Sequence, residues 1–263
     1  MHKYPYRWTL KDATFTKDKG KVFSCFACGG GSTMGYKLAG FDVLGCNEID
    51  PKMMESYVKN HNPKYSFLEP IQEFKLRDDL PEDLYNLDIL DGSPPCSSFS
   101  MAGNRSDDWG KEKKFREGQA EQVLDTLFFD FIHLAKKLQP KVVVAENVKG
   151  LLLGNAKDYV LKIYEAFEAA GYYVNHWLLD ASNMGVPQKR ERVFLDVLQS
   201  KLSRIMKMRP MKMVMVATMV LAMLLVLKLQ LLPLVCQSTT ARSNSSYNSE
   251  GCCTRCSFLV RWL

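Results

Sequence analysis

Over most of its length the sequence lacks any excess of positive charge. Residues 1–196 carry 26 Lys/Arg against 28 Asp/Glu, whereas residues 197–263 carry nine basic groups against a single acid, Glu250. The overall charge of +6 therefore resides in the tail, and the body alone is a poor binder of phosphate backbone. Histidine is scarce, at four residues, none with a partner at ligand-like spacing, so no metal is expected. No apolar stretch opens the chain, because Met1 to Lys21 is polar. A secretory leader is not expected, and the setting expected is a cytoplasm that keeps thiols reduced. The apolar run Met213–Leu227 has 15 residues, short of the roughly 20 that a spanning helix needs. Extending it to Val235 takes in Lys228 and Gln230, so a membrane partner is not expected. At 46% hydrophobic and 24% charged residues, the composition excludes a coiled coil, a collagen-like chain and a small disulfide scaffold.

What is present is an alternation. Val22–Phe26, Val43–Asn47, Leu87–Asp91, Val142–Glu146 and Val193–Val197 are short β-branched runs expected to form strands buried on both faces. Between them, Ser32–Ala39, Pro51–His61, Thr126–Leu138 and Asp158–Ala170 read as helical. Pro51 suits a first helical turn and Gly171 a helix stop. This order predicts an α/β fold, a mostly parallel, doubly wound, Rossmann-like sheet with helices on both faces. Three regions follow: an extension over 1–20, a catalytic domain over 21–198 and an atypical tail over 199–263. Ligands on such sheets bind beyond the carboxyl ends of the strands.

The unusual residues fall at those ends. Gly29-Gly30-Gly31 follows a strand and precedes a helix, where bare backbone and the helix N-terminus suit a ligand. Glu48 closes the next strand, 17 residues after Gly31, close to where nucleoside-binding folds place an acid for ribose hydroxyls. Cys96 follows Pro94-Pro95; prolines there position a residue rather than build a strand, and a strand-end cysteine near a helix start tends towards the reactive thiolate. Glu146 ends the apolar run Val142-Val143-Val144-Ala145, where lost solvation raises a carboxyl pKa. Gln188, Arg190 and Arg192 alternate with Lys189 and Glu191 on an entering strand; two guanidiniums on one face suit phosphate or base-carbonyl oxygens. Each site also has a plain structural explanation: a packed turn, an inert buried thiol, a loop-capping glutamate.

Taken in order, Phe26-Ala27-Cys28-Gly29-Gly30-Gly31, Asn47-Glu48-Ile49-Asp50, Pro95-Cys96-Ser97-Ser98-Phe99-Ser100, Glu146-Asn147-Val148 and Gln188-Lys189-Arg190-Glu191-Arg192 resemble the DNA cytosine-5 methyltransferase family of bacteria and their phages. Thr126-Leu127-Phe128-Phe129-Asp130 and Gly185-Val186-Pro187 also resemble it, so the likeness spans residues 21 to about 196. The resemblance implies transfer of a methyl group from S-adenosylmethionine to C5 of a cytosine flipped out of duplex DNA. Cys96 would attack C6, Glu146 would serve N3, Arg192 the O2 side and Arg190 a phosphate. Phe26, Ala27, Gly29, Gly30, Gly31, Glu48, Ile49, Ile71, Pro95 and Leu127 would hold the cofactor. Residues 104–119 resemble the loop that closes over the flipped base. The resemblance further implies a monomer and a link to restriction–modification. Alternatives are a catalytically inactive remnant and an RNA cytosine-5 methyltransferase.

The sequence also departs from the family pattern. Cys28 stands where the family has a first glycine, and Pro70 where an Asp would accept the adenine amino group, with Glu69 as a substitute. Ile49 replaces a frequently aromatic residue. Beyond Val197 nothing resembles the target-recognition region or the returning segment of family members; a shifted reading frame or a rearranged 3′ end is the expected origin. Cys25-x-x-Cys28 and Cys253-x-x-Cys256 lie 225 residues apart and are not expected to share a zinc ion.

Overall fold

The computed structural model describes residues 14–95, 112–113, 122–123, 126–153 and 156–202. Cys96, the rest of the expected base-covering loop and the tail with its apolar run and four cysteines lie outside the described residues.

A seven-stranded sheet runs through the body in the order β3-β2-β1-β4-β7-β9-β8. Its strands are β1 (Lys21–Cys25), β2 (Asp42–Glu48), β3 (Tyr65–Leu68), β4 (Ile89–Gly92), β7 (Val142–Val148), β8 (Tyr172–Asp180) and β9 (Glu191–Gln199). The pairs β1–β2, β1–β4, β2–β3 and β4–β7 are parallel, and β9 is antiparallel to both β7 and β8. The mostly parallel sheet is as the alternation predicts. A separate two-residue ladder joins β5 (Glu112–Lys113) to β6 (Gln122–Val123).

Helices α1 (Gly31–Leu38) and α2 (Pro51–His61) cover one face, and α3 (Ile71–Phe74), α4 (Leu127–Leu138) and α5 (Ala156–Ala169) the other. The helix ends follow local chemistry. The Asp50 carboxylate accepts from Lys52 N at 2.9 Å and Met53 N at 3.3 Å, ahead of Pro51 in the first turn of α2. Beyond α5, Gly171 has φ 92°, the left-handed conformation in which chains leave helices. The larger core joins Phe23, Leu90 and Val143 to Phe128, Phe131 and Phe167, all fully buried; each such side chain contributes about 1.5–3 kcal/mol. The opposite core joins Tyr36 of α1 to Val22, Ile89 and Val144. With both faces covered, the rim at the strand carboxyl ends is where the chain leaves β1, β2, β4 and β7 in irregular turns.

Candidate active site

The first of those turns runs from Phe26 to Gly30. It needs left-handed backbone at Phe26 (φ 53°), Cys28 (φ 49°) and Gly30 (φ 86°). The conformation is cheap for Gly30 and costs a side-chain-bearing residue about 1–2 kcal/mol, so the strain expected at Cys28 is there. The turn is held by Gly30 N donating to Ala27 O at 2.9 Å and by Cys28 N donating to Glu48 Oε2 at 2.7 Å. A Cβ on Gly30 would fall 2.1 Å from His61 Nε2, whereas one on Gly29 would meet nothing within 4 Å. The turn is thus packed underneath at Gly30 and open above at Gly29.

Glu48 ends β2 beside this turn and is almost buried. Besides Cys28 N it accepts from Ile49 N at 2.8 Å and Asp50 N at 2.9 Å, both through Oε1. Three backbone donors hold the carboxylate in place with lone pairs to spare. Ile49 is half-buried next to it. Asn47 donates to Glu69 O at 2.9 Å and Phe67 O at 3.3 Å, joining β2 to the segment after β3. The Glu69 side chain already pairs with Arg77 at 3.1 Å, and Pro70 stands before α3. Ile71 and Leu127 lie with their side chains inside the larger core. Phe26 is half-buried and meets Phe131 edge-on at 6.2 Å.

Across the rim, Asn147 at the end of β7 is buried. Its Nδ2 donates to Pro94 O at 3.1 Å and its Oδ1 accepts from Val148 N at 2.8 Å. Pro94 is buried and Pro95 half-buried; their chain leads directly into Cys96. One residue before Asn147, Glu146 Oε1 meets Arg192 Nε at 2.9 Å. Burial raises the Glu146 pKa against the opposing pull of Arg192 and Arg190, and the negative charge of Asp91 adds to the rise. The Arg190 guanidinium is pushed down to about 10, by burial first and then by Arg192. Glu191 turns the other way and pairs with Lys149 at 2.9 Å, as alternation along the strand requires. A carboxyl raised in this way keeps its proton to a higher pH than an exposed glutamate, beside two donors that can orient planar oxygen acceptors.

Three buried residues escaped the sequence reasoning. Asp91 interrupts the otherwise apolar end of β4 and accepts hydroxyl donors, and that interruption was the available signal. His61, the last residue of α2, has both ring nitrogens buried with no side-chain hydrogen-bond partner among the described residues, against Tyr57 at 4.8 Å. Tyr57 in turn shares a hydroxyl hydrogen bond with Thr33 at 2.8 Å, tying α2 to α1. Nothing local in the sequence signals either ring. Among the described residues no group of His, Cys, Asp and Glu is arranged to hold a metal ion, and no helix is long and apolar enough to cross a membrane.

The residues at the rim fit a nucleoside-bearing cofactor: an open glycine turn, an acid fixed at the adjoining strand end and an apolar residue beside it. Comparison with known proteins gives the same direction. The profile of C-5 cytosine-specific DNA methylases matches residues 20–219, past the Val197 boundary drawn from the sequence. The chain is similar to the type II methyltransferase M.FnuDI of Fusobacterium nucleatum, at 38% identity over 66% of this chain and 45% of that protein. It is also similar to M.NgoPII of Neisseria gonorrhoeae, at 36% identity over 66% and 46%. In fold it resembles the crystal structure of a putative DNA modification methyltransferase encoded within an E. coli prophage, with a TM-score of 0.54, 24% identity, and coverage of 70% of this chain and 47% of that one. The chain spans about half the length of the curated relatives it matches. With the profile covering most of its residues, the chain belongs to the C-5 cytosine-specific DNA methylase family.

Proposed function

We propose that the chain carries the catalytic half of a DNA cytosine-5 methyltransferase that modifies a flipped cytosine through a covalent Cys96 adduct, with S-adenosylmethionine as donor. The observation that carries this reading is the hydrogen bond from Asn147 to Pro94. It ties the strand that carries Glu146 to the segment leading into Cys96, on the same rim as the glycine turn and Glu48.

Glu48, with its three backbone bonds, is poised to accept ribose hydroxyls, while the open side of Gly29 admits the ligand close to the backbone. Phe26, Ala27, Gly30, Gly31, Ile49, Ile71, Pro95 and Leu127 complete the binding region in this reading, Ile71 and Leu127 acting through backbone and core packing. When bound, S-adenosylmethionine supplies an electrophilic methyl group. C5 of cytosine is a poor nucleophile until the Cys96 thiolate adds to C6, breaking aromaticity and moving an electron pair to C5. Glu146 holds a proton at N3, so that negative charge does not build up on the ring. Arg192 orients the O2 side and Arg190 a phosphate. After the methyl group has joined C5, loss of the C5 proton restores the double bond and expels the thiolate.

Incorporation of labelled methyl groups from S-adenosylmethionine into pooled, unmethylated duplex DNA tests the reading, with Cys96→Ser alongside. Incorporation that disappears in the variant is the expected result. Transfer to tRNA in place of DNA would move the substrate to RNA. No transfer from folded protein would leave an inactive remnant, a reading favoured by the half-length match to the relatives.

A further inference from the structure

Asp91 is a carboxylate 1% exposed, at the penultimate position of β4. Beyond the addition of its charge to the rise of the Glu146 pKa, it has no role in the chemistry described above. Its Oδ2 accepts from Ser32 Oγ at 2.7 Å and Ser24 Oγ at 2.8 Å, and its Oδ1 from the Tyr36 hydroxyl at 3.2 Å. No ion pair reaches it among the described residues. Burying a carboxylate costs several kcal/mol unless its lone pairs are met, so three hydroxyl donors aimed at one acid constitute a built cluster. Ser32 and Tyr36 stand one turn apart on the same face of α1. Ser24 is the β1 residue paired across the ladder with Asp91.

The placement of these groups matters more than their number. Immediately beyond Ser24 and Cys25, β1 becomes the glycine turn, and α1 is the helix on which that turn ends. Immediately beyond Asp91, β4 becomes Gly92-Ser93-Pro94-Pro95, the approach to Cys96. On its other side Asp91 pairs with Val144, two residues before Glu146 on the same face of β7. One buried carboxylate therefore connects the cofactor turn, the approach to the nucleophile and the strand of the N3 residue. Neither Asn147 nor Glu48 makes such a connection, since Asn147 bonds the Pro94 carbonyl and its own strand and Glu48 bonds the turn and the two residues that follow it.

We propose that Asp91 is a positioning residue that clamps α1, and with it the glycine turn, at a fixed distance from the strand leading to the nucleophile. This rests on the proposed methyl-transfer reading for its functional consequence but not for its geometry. Asn in its place keeps the shape, offers one acceptor oxygen instead of two and turns an N–H2 group towards the hydroxyls. The helix then loses charge-assisted bonds, the strong class of hydrogen bond.

The test uses the full chain in three variants: Asp91→Asn, Ser32→Ala, and Ile163→Val in the core of the opposite face as a control for general destabilisation. Amide hydrogen exchange without ligand should show the Met34 amide, which bonds Gly30 O at 3.0 Å, exchanging at least about tenfold faster in the first two variants and unchanged in the third. Calorimetric titration should show S-adenosylmethionine bound about tenfold or more weakly by Asp91→Asn and Ser32→Ala, with affinity retained by Ile163→Val. In turnover the donor KM should rise while kcat at saturating donor holds. Unchanged exchange at α1, or a Ile163→Val variant that loses affinity as much as Asp91→Asn, overturns the clamp. If the native chain binds no S-adenosylmethionine, the methyl-transfer reading fails, and the exchange measurement alone still decides the clamp. Should Asp91→Asn not fold, Ser32→Ala removes a single α1 donor and carries the same comparison.

Discussion

The side-chain amide of Asn147 donates to the carbonyl of Pro94 at 3.1 Å, so the end of β7 holds the backbone that leads out of β4. Both groups are buried, and a buried acceptor left without a donor costs about 1–3 kcal/mol. Asn147→Ala should lower stability by about that amount and reduce methyl transfer at least tenfold. Binding of S-adenosylmethionine should hardly change. Urea unfolding, a transfer assay and titration of the cofactor separate the three effects. Loss of cofactor binding equal to the loss of transfer would contradict a role confined to the nucleophile side.

The three residues Cys28, Gly29 and Gly30 should respond to substitution in different ways. Gly30→Ala puts a methyl group against His61 and Tyr57 on a left-handed backbone, so a loss of about 2 kcal/mol or more is expected. Gly29→Ala meets nothing, so stability should hold while the added methyl group obstructs cofactor binding. Cys28→Gly relieves a left-handed backbone at φ 49° and should stabilise by about 0.5–1 kcal/mol. Denaturation midpoints and cofactor titrations on the three variants check the ordering.

His61 is 5% exposed, and burial lowers its pKa from 6.5 to about 4, helped by the charge of Lys37. A base depressed in the folded state contributes stability that is present above its unfolded pKa. That stability is lost as pH falls through the window from 6.5 towards 4. Between pH 7 and pH 5 the loss from this residue should be about 2 kcal/mol. His61→Phe, which cannot gain a proton, should lose correspondingly less over the same interval in urea titrations. An equal loss in both proteins would show that the imidazole is not what titrates.

Glu146 has the opposite sign. Its pKa is raised, chiefly by burial, so its contribution to stability is complete below the unfolded value and is lost as pH rises through the folded value. In the proposed mechanism the protonated form is the useful one, so the rate should fall on the alkaline side as Glu146 ionises. Glu146→Gln should lower the rate at least a hundredfold and abolish that limb of the profile. A limb that survives in Glu146→Gln would assign it to another group.

How much of this was legible beforehand can be judged residue by residue. Helix α2 runs over Pro51–His61 as its spacing predicts, because Asp50 and Pro51 mark its start in local chemistry. The strand-end location of Glu48 and the glycine turn followed from the alternation of elements alone, whereas β7 runs two residues past Glu146, to Val148. β3 and β8 were not anticipated. Tyr65–Leu68 is four residues long and half-exposed, and in β8 exposure at His176, Trp177 and Leu178 breaks the two-residue period. The antiparallel sense of β9 was also beyond reach, since direction depends on pairing with a partner distant in the chain. The contacts of Asp91 are likewise products of packing, as Ser24, Ser32 and Tyr36 all precede it by 55 or more residues; His61 meets Tyr57 one turn back along α2, but its approach to Gly30 is one that only the fold brings about.

The reversed direction of β9 has a consequence for whatever acts on the substrate. Because β9 begins with Glu191 and Arg192 beside the end of β7, the polypeptide exits through Gln199 at the far end, where it pairs with the first residue of β8. Seven steps of about 3.3 Å each put that exit roughly 23 Å from Arg192. Any later segment that contributes to recognising a base must therefore climb back along the outside of the molecule, and the length of that return path limits which later residues can reach the rim.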